Sequence, residues 1–284
     1  MIVNRYWIAT KRAVFSVLRY AVRDYVYAVR SGLAKGLKRR GGLGFIPQIV
    51  PLTREEKWLR SQGLAGRTVY DIGAFEGVFT LFFARAVGEK GKVVTFEPHP
   101  ENCARVRENV RLNNFRNVDV RQIALGRTAG EAVLVSRRSE FGTASLHEKI
   151  KTEILKEKGA KTFHVTMDSL DHQIASHNLP KPDFVKIDVE GLEMDVLLGM
   201  VETIRNHTPE LFIEIHDVYL DKKTAGARQV VDFLTSCGYS LRHIESGRLF
   251  AAGESQTPEI GHFYCGFTSR AQAPNVAGKT CSGP

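Results

Sequence analysis

The amino-acid sequence predicts an α/β fold: a mostly parallel, doubly wound sheet with helices on both faces, led by a basic N-terminal helical extension. Two observations carry the sheet. From about Thr53 onward, short apolar runs rich in β-branched residues alternate with stretches of helical period, the pattern of strands covered on both faces. The first of these runs, Thr68–Ile72, passes through glycines straight into a helix, which suits a ligand site at the carboxyl end of a strand. The third observation concerns charge. Residues 1–40 hold ten basic residues against the single acid Asp24, so the net charge of +9 belongs to the extension and the rest of the chain is balanced.

In the extension, Val14, Leu18, Val22, Tyr25, Val29 and Leu33 recur at three- and four-residue steps, with Arg12, Arg19, Arg23 and Arg30 mostly opposite. That predicts an amphipathic helix. Arginine interrupts it too often for a secretory signal peptide. Such a helix either lies on an anionic membrane surface or packs its apolar stripe on the domain. Residues 39–44 read as a linker, which sets 1–44 apart from a domain over 45–269. Within the domain a helix is predicted over 54–62, a buried strand over Thr68–Ile72, a helix over Val78–Val87 and a second strand over Lys92–Phe96. A helix over 101–112, a third strand over 118–125 and a strand-like stretch over 132–135 follow. Residues 184–189 form the next strand and 194–205 a helix. Strand 211–215, helix 227–237 and strands 240–244 and 263–268 complete the set. Residues 270–284, rich in Ala, Gly, Pro and Ser, are expected to be disordered.

The chain of 284 residues, 43% hydrophobic and 25% charged, can bury a sizeable core and has no apolar run long enough to span a bilayer. Its four cysteines are far apart and form no CxxC pair, so neither zinc site nor disulfide framework is indicated, no metal is assigned, and a cytoplasmic setting is expected. A nucleic-acid enzyme is disfavoured because the domain has no basic stripe.

The chemistry begins at Asp71-Ile72-Gly73-Ala74-Phe75-Glu76-Gly77. Glycines at a strand end let the backbone turn sharply and let a ligand approach closely, and the helix start that follows offers free N–H groups. The Gly-x-x-x-Gly spacing is not the GxGxxG of dinucleotide enzymes, which disfavours an oxidoreductase. Asp71 suits a ligand bearing an ammonium group. Glu97, which ends the second strand 24 residues past Gly73, is placed to accept from both hydroxyls of an unphosphorylated ribose. Together these point to S-adenosylmethionine (SAM).

The succession DIGAFEG, TFEPHPENCARVRENVRLNN, QIALG, TMDSL, DFVKIDVEGLEMDVLLGM and ELFIEIH resembles the FkbM family of methyltransferases over roughly residues 66–216. The resemblance implies a class I, Rossmann-like SAM-binding fold and methylation of a hydroxyl on a sugar, glycolipid, polysaccharide precursor or polyketide. By position, it implies that Asp71, Gly73, Ala74, Phe75 and Gly77 surround the methionine end of SAM and that Glu97 holds the ribose. Pro98, Ile123 and Ala124 would border the adenine, with Asp188 near the methyl group. The family commonly has asparagine where this chain has Phe75.

Transfer to oxygen requires a group that takes the acceptor's proton. Asp188, Glu190 and His216 are the candidates, with Glu214 behind them; Asp188 and Glu190, two apart, would share a face of a regular strand, and His216 titrates near neutrality. The segment 137–146 is a candidate lid or acceptor wall. The expected partners are SAM and a small-molecule, glycan or lipid acceptor, with no nucleic acid and with peripheral membrane contact through residues 1–40. The alternative from a different class is a non-catalytic, membrane-associated SAM-binding protein.

Overall fold

The computed structural model of the chain describes residues 22–46, 51–137, 144–157, 159–216, 225–253, 258 and 260–267. An eight-stranded sheet runs in the order β13-β12-β14-β11-β10-β3-β4-β5. Its strands are β3 (Thr68–Ile72), β4 (Lys92–Phe96), β5 (Val118–Arg121), β10 (Phe184–Ile187), β11 (Glu210–Ile215), β12 (Tyr239–His243), β13 (Leu249–Phe250) and β14 (Gly261–Phe267). The five strands from β11 to β5 are parallel, while β14, β12 and β13 pair antiparallel at one edge. A four-stranded sheet, β6-β9-β7-β8, stands apart from it, built from β6 (Ala124–Leu125), β7 (Gly130–Ser136), β8 (Ala144–Ser145) and β9 (Lys161–Asp168).

The helices are α1 (Arg54–Arg60), α2 (Val78–Val87), α3 (Pro100–Leu112), α4 (Glu148–Leu155), α5 (Leu170–His177), α6 (Glu193–Leu198), α7 (Val201–His207) and α8 (Ala225–Ser236). Successive residues of a strand face opposite sides, and here the two sides are different cores. Tyr70, Ile72, Val185 and Ile187 join Leu170, Val196, Ile204 and Leu234 on one face. Val69, Val93, Phe184 and Phe212 join Leu59, Phe82 and Phe83 on the other. Burial on both faces is why these parallel strands read as continuous apolar runs. Among the described residues, no helix is long and apolar enough to cross a membrane.

Four expectations change. The predicted N-terminal helix falls partly on residues 1–21, outside the described residues; from Val26 the chain is instead a hairpin of β1 (Val26–Ala28) and β2 (Lys38–Arg40). Gly32 and Gly36 both have positive φ and turn the chain back on itself. The supposed linker is part of the fold: Tyr27 donates to the Gly41 carbonyl, and Arg39 and Arg40 pair with Glu76 and Glu108 at 2.6 Å each. The third strand divides, because the chain leaves the main sheet after Arg121 and re-enters at Ala124 in the small one. The helix over 194–205 is two helices, broken at Gly199, where a side chain would collide with the Gly126 carbonyl. Finally, β9 and α5 were not anticipated, since of β9 only Val165 and Asp168 are buried. The predicted disordered tail lies outside the described residues.

Phe212 is fully buried and stacks on Trp58 of α1 with ring centroids 5.3 Å apart. Phe212→Ala is expected to lower stability by about 3–5 kcal/mol, measured by urea unfolding; a loss below about 1 kcal/mol would mean that α1 does not dock through this ring.

Candidate active site

The strand order turns back between β3 and β10, so their carboxyl ends open onto a crevice where open α/β sheets bind ligands. The two ends meet backbone to backbone. Gly73 has φ +80, its N–H donates to the Phe96 carbonyl, and Asp188 N–H donates to the Ile72 carbonyl. A Cβ on Gly73 would sit 1.8 Å from the Asp188 carbonyl oxygen, so only glycine fits. Gly77, also at positive φ, packs on Val106 of α3. Between them Phe75 adopts φ +51, a left-handed conformation that asparagine tolerates better than most residues. The family's asparagine at this position thus has a backbone reason. Phenylalanine retains the turn and supplies an aromatic face instead of a polar one.

A cavity of about 290 Å³ occupies the crevice. Gly73, Phe75, Glu97, Pro98, Ile123, Ala124, Asp188 and Glu190 all line it, joined by Asn102 from α3 and by Leu134 and Leu146. The small sheet is therefore the cavity's outer wall. The Glu97 carboxylate is 5% exposed and accepts from the N–H groups of Phe75 at 2.7 Å and His99 at 2.9 Å. Burial pushes its pKa up to about 7, against the lowering effect of these donors. An ionised carboxylate has about four acceptor sites; these two N–H groups and the Asn102 amide at 3.5 Å take three, so capacity remains for a ribose hydroxyl. The apolar lining of Ile123, Ala124 and Leu134 suits a flat base. These residues fit SAM.

Asp71, Ala74 and Gly77 do not line this cavity. Asp71 lies on the α2 side of the sheet, in register with Lys186 and Thr95. It is fully buried, accepts from the Thr80 hydroxyl at 2.6 Å and lies 3.6 Å from the Lys186 ammonium. Lys186, also buried, reaches Asp188 at 3.2 Å and lies 4.6 Å from the centre of the Phe79 ring. Burial alone would lower the Lys186 pKa, but Asp188 and Asp71 outweigh it and raise it, so the ammonium stays charged. Asp71 thus contacts the Lys186 ammonium and lies beneath the cavity rather than in its lining.

The base candidates converge. Strand β10 ends at Ile187, so Asp188 and Glu190 reach the cavity through a turn rather than by strand alternation. Glu190 has φ +53 and Gly191 φ +99. His216, just past β11, places Nε2 at 3.9 Å from Asp188, 3.7 Å from Glu190 and 3.6 Å from Glu214. Its Nδ1 is 2.9 Å from the buried carboxylate of Glu193. Burial opposes the charged imidazolium, but the bond to Glu193 and the charges of Glu190, Glu193 and Asp188 lift the His216 pKa to about 9. Burial likewise raises the Glu190 pKa, with His216 pulling against it. Asp188, Glu214 and His216 bring possible ligand atoms within 4.8 Å of one another and could hold a divalent ion; Glu55, Glu245 and His262 do the same farther out.

Lys186, Glu193, Thr80 and Asn102 were not singled out for roles from the sequence. A lysine inside the apolar run Phe184-Val185-Lys186-Ile187 was the available signal, since a buried cation demands a partner. Of the candidate lid, 138–143 lie outside the described residues, while Leu146 lines the cavity.

The sequence model described as the methyltransferase FkbM domain matches residues 71–241. Methyltransferase 1 of Beauveria bassiana is 28% identical over 169 residues, covering 55% of this chain and 68% of that protein. The hexuronic acid methyltransferase AglP of Haloferax volcanii is 28% identical over 148 residues, covering 52% and 55%; this chain thus spans about half of that relative's length. A crystal structure of methyltransferase FkbM from Methylobacillus flagellatus superposes with a TM-score of 0.46 at 17% identity, covering 70% of this chain and 43% of the other.

Hydrogen bonds to a charged group contribute about 1.5–3 kcal/mol each, and about 1.4 kcal/mol is a tenfold change in affinity. Glu97→Ala is therefore expected to weaken SAM binding at least tenfold by calorimetry. Asp71→Ala, which strips a partner from buried Lys186, should instead lower thermal stability markedly. Unchanged affinity in Glu97→Ala would remove the ribose assignment.

Proposed function

For a chain that belongs to the FkbM methyltransferase family, we propose transfer of a methyl group from SAM to a hydroxyl oxygen of a sugar, glycolipid, polysaccharide precursor or polyketide-like molecule. Glu190 takes the acceptor's proton. The observation that carries this reading is the left-handed backbone of Glu190. A non-glycine residue held there costs about 1–3 kcal/mol, and such outliers concentrate at active sites. Here the strained turn directs a carboxylate to the donor cavity and to within 3.7 Å of the His216 imidazole. The name of the Haloferax volcanii relative, a hexuronic acid methyltransferase, supports a sugar acceptor.

SAM, when bound, supplies an electrophilic methyl group on a sulfonium. The chain's own residues do the rest. Glu97 and the Gly73 turn fix the donor, and Lys186 holds Asp188 at the cavity's edge. The raised pKa of Glu190 brings it closer to a hydroxyl's needs than an ordinary carboxylate, which improves it as a base. The imidazolium of His216, oriented by Glu193, offsets the charge of the surrounding carboxylates. Leu134 and Leu146 add apolar surface to the cavity lining.

Glu190→Gln is expected to lower kcat by about 10²–10⁴ while SAM affinity changes less than threefold, measured with labelled SAM and a panel of glycosides and lipids. Rate should fall on the acid side as Glu190 gains its proton, above the ordinary carboxylate range. It should also fall on the alkaline side near pH 9 as His216 loses its own, and His216→Ala should abolish that alkaline limb. Full turnover in Glu190→Gln, or label carried on nitrogen rather than oxygen, would refute the proposal.

A further inference from the structure

Packing in the core does not account for Phe75. Its backbone is left-handed, φ +51, a conformation in which a bulky side chain is an outlier. Phe79, Phe82, Phe83 and Phe96 each join a hydrophobic cluster. Among the described residues, Phe75 joins none. Its ring is half-buried and lines the donor cavity instead. The turn that imposes the strain is fixed at both ends: the Phe75 N–H donates to Glu97 at 2.7 Å, and Gly77 N–H donates to the Ala74 carbonyl. Strain held in place at a ligand cavity marks a residue kept for its contact with the ligand.

The lining orders a SAM molecule along the cavity. Glu97 is suited to the ribose, Ile123 and Ala124 to the base, and Asp188 and Glu190 stand at the acidic end. In SAM the base leaves the ribose at C1′ and the sulfonium follows C5′. With the base against Ile123 and Ala124, the sulfonium falls toward Gly73 and Asp188. Phe75 belongs to the turn that begins at Gly73, so its ring adjoins the part of SAM that carries the positive charge. An aromatic face attracts a cation through its quadrupole. Unlike a carboxylate, it offers no lone pair that could take the methyl group itself. Once the methyl has left, the sulfur is a neutral thioether and this attraction is gone.

We propose that the Phe75 ring recognises the sulfonium by a cation–π contact, and that it thereby favours SAM over the spent product, S-adenosylhomocysteine. The assignment rests on SAM occupying this cavity, not on the identity of the acceptor, and it is tested by binding without turnover. Cation–π contacts change affinity roughly two- to fivefold at exposed sites and about thirtyfold where water is excluded; a half-buried ring falls between. Full-length protein is titrated with SAM and with S-adenosylhomocysteine by calorimetry. Phe75→Leu keeps an apolar side chain on the same turn but removes the π face. It is expected to weaken SAM binding at least fivefold while affinity for S-adenosylhomocysteine changes less than twofold. Asp188 and Glu190 are retained, so the change in the ratio belongs to the ring. A series with mono-, di- and trifluorinated phenylalanine at position 75 drains the quadrupole with little change of shape. Affinity for SAM should fall stepwise along it and affinity for the product should not. Parallel loss of both ligands in Phe75→Leu, an unchanged ratio, or a flat fluorination series would overturn the proposal. A wrong placement of SAM registers separately, as undiminished SAM affinity in Glu97→Ala.

Discussion

The site depends on a contact between two backbones. Because Gly73 has no side chain, the turn after β3 lies directly against the carbonyl of Asp188, where a Cβ would come within 1.8 Å. That approach holds two strand ends in one crevice and sets the distance from the donor-binding turn to the acidic turn after β10. The neighbouring features follow from it. The Gly73 and Asp188 amides are tied to the adjoining strands, and Glu97 ties the Phe75 amide to the start of α3. A site assembled from main chain in this way is rigid before any ligand arrives, which lowers the entropy lost on binding.

Rigidity of the main chain leaves an electrostatic difficulty. Asp71, Asp188, Glu190, Glu193 and Glu214 crowd into one region, and like charges at such separations repel by several kcal/mol. Three cations offset this from different directions. Lys186 lies beneath, between Asp71 and Asp188. His216 stands among Asp188, Glu190, Glu193 and Glu214. His262 joins Glu214 at 3.3 Å to Glu245. Two of the three are histidines with pKa values lifted to about 9, so the balance holds at neutral pH and weakens in alkali.

The parallel half of the sheet was legible because its inner strands β3, β4, β10 and β11 are largely buried and so read as mostly apolar runs. Gly73, Glu97 and Asp188, at or just past strand ends, and Pro98, Ile123 and Ala124, implied by the family resemblance, all line one cavity. What local pattern could not reveal was distance in three dimensions. Asp71 sits one residue before the turn, yet strand alternation sends it to the α2 side, toward Thr80 and Lys186. Val22, Tyr25, Val29 and Leu33 have helical spacing, but glycines at 32 and 36 and packing against the domain impose a hairpin. Glu193 was visible only as part of a motif; its bond to His216 spans 23 residues of sequence.

Glu97 has one more consequence, which is thermodynamic. A carboxyl with its pKa at about 7 is shared between two protonation states at neutrality. In the proposed donor complex, a ribose hydroxyl donating to it would favour the ionised form, so donor capture would expel a fraction of a proton. The heat of binding then varies with the ionisation enthalpy of the buffer. By linkage, occupancy of the donor site declines as the surroundings become more acidic. The residue proposed to hold the ribose would in that way also make the protein's hold on its methyl donor a function of pH.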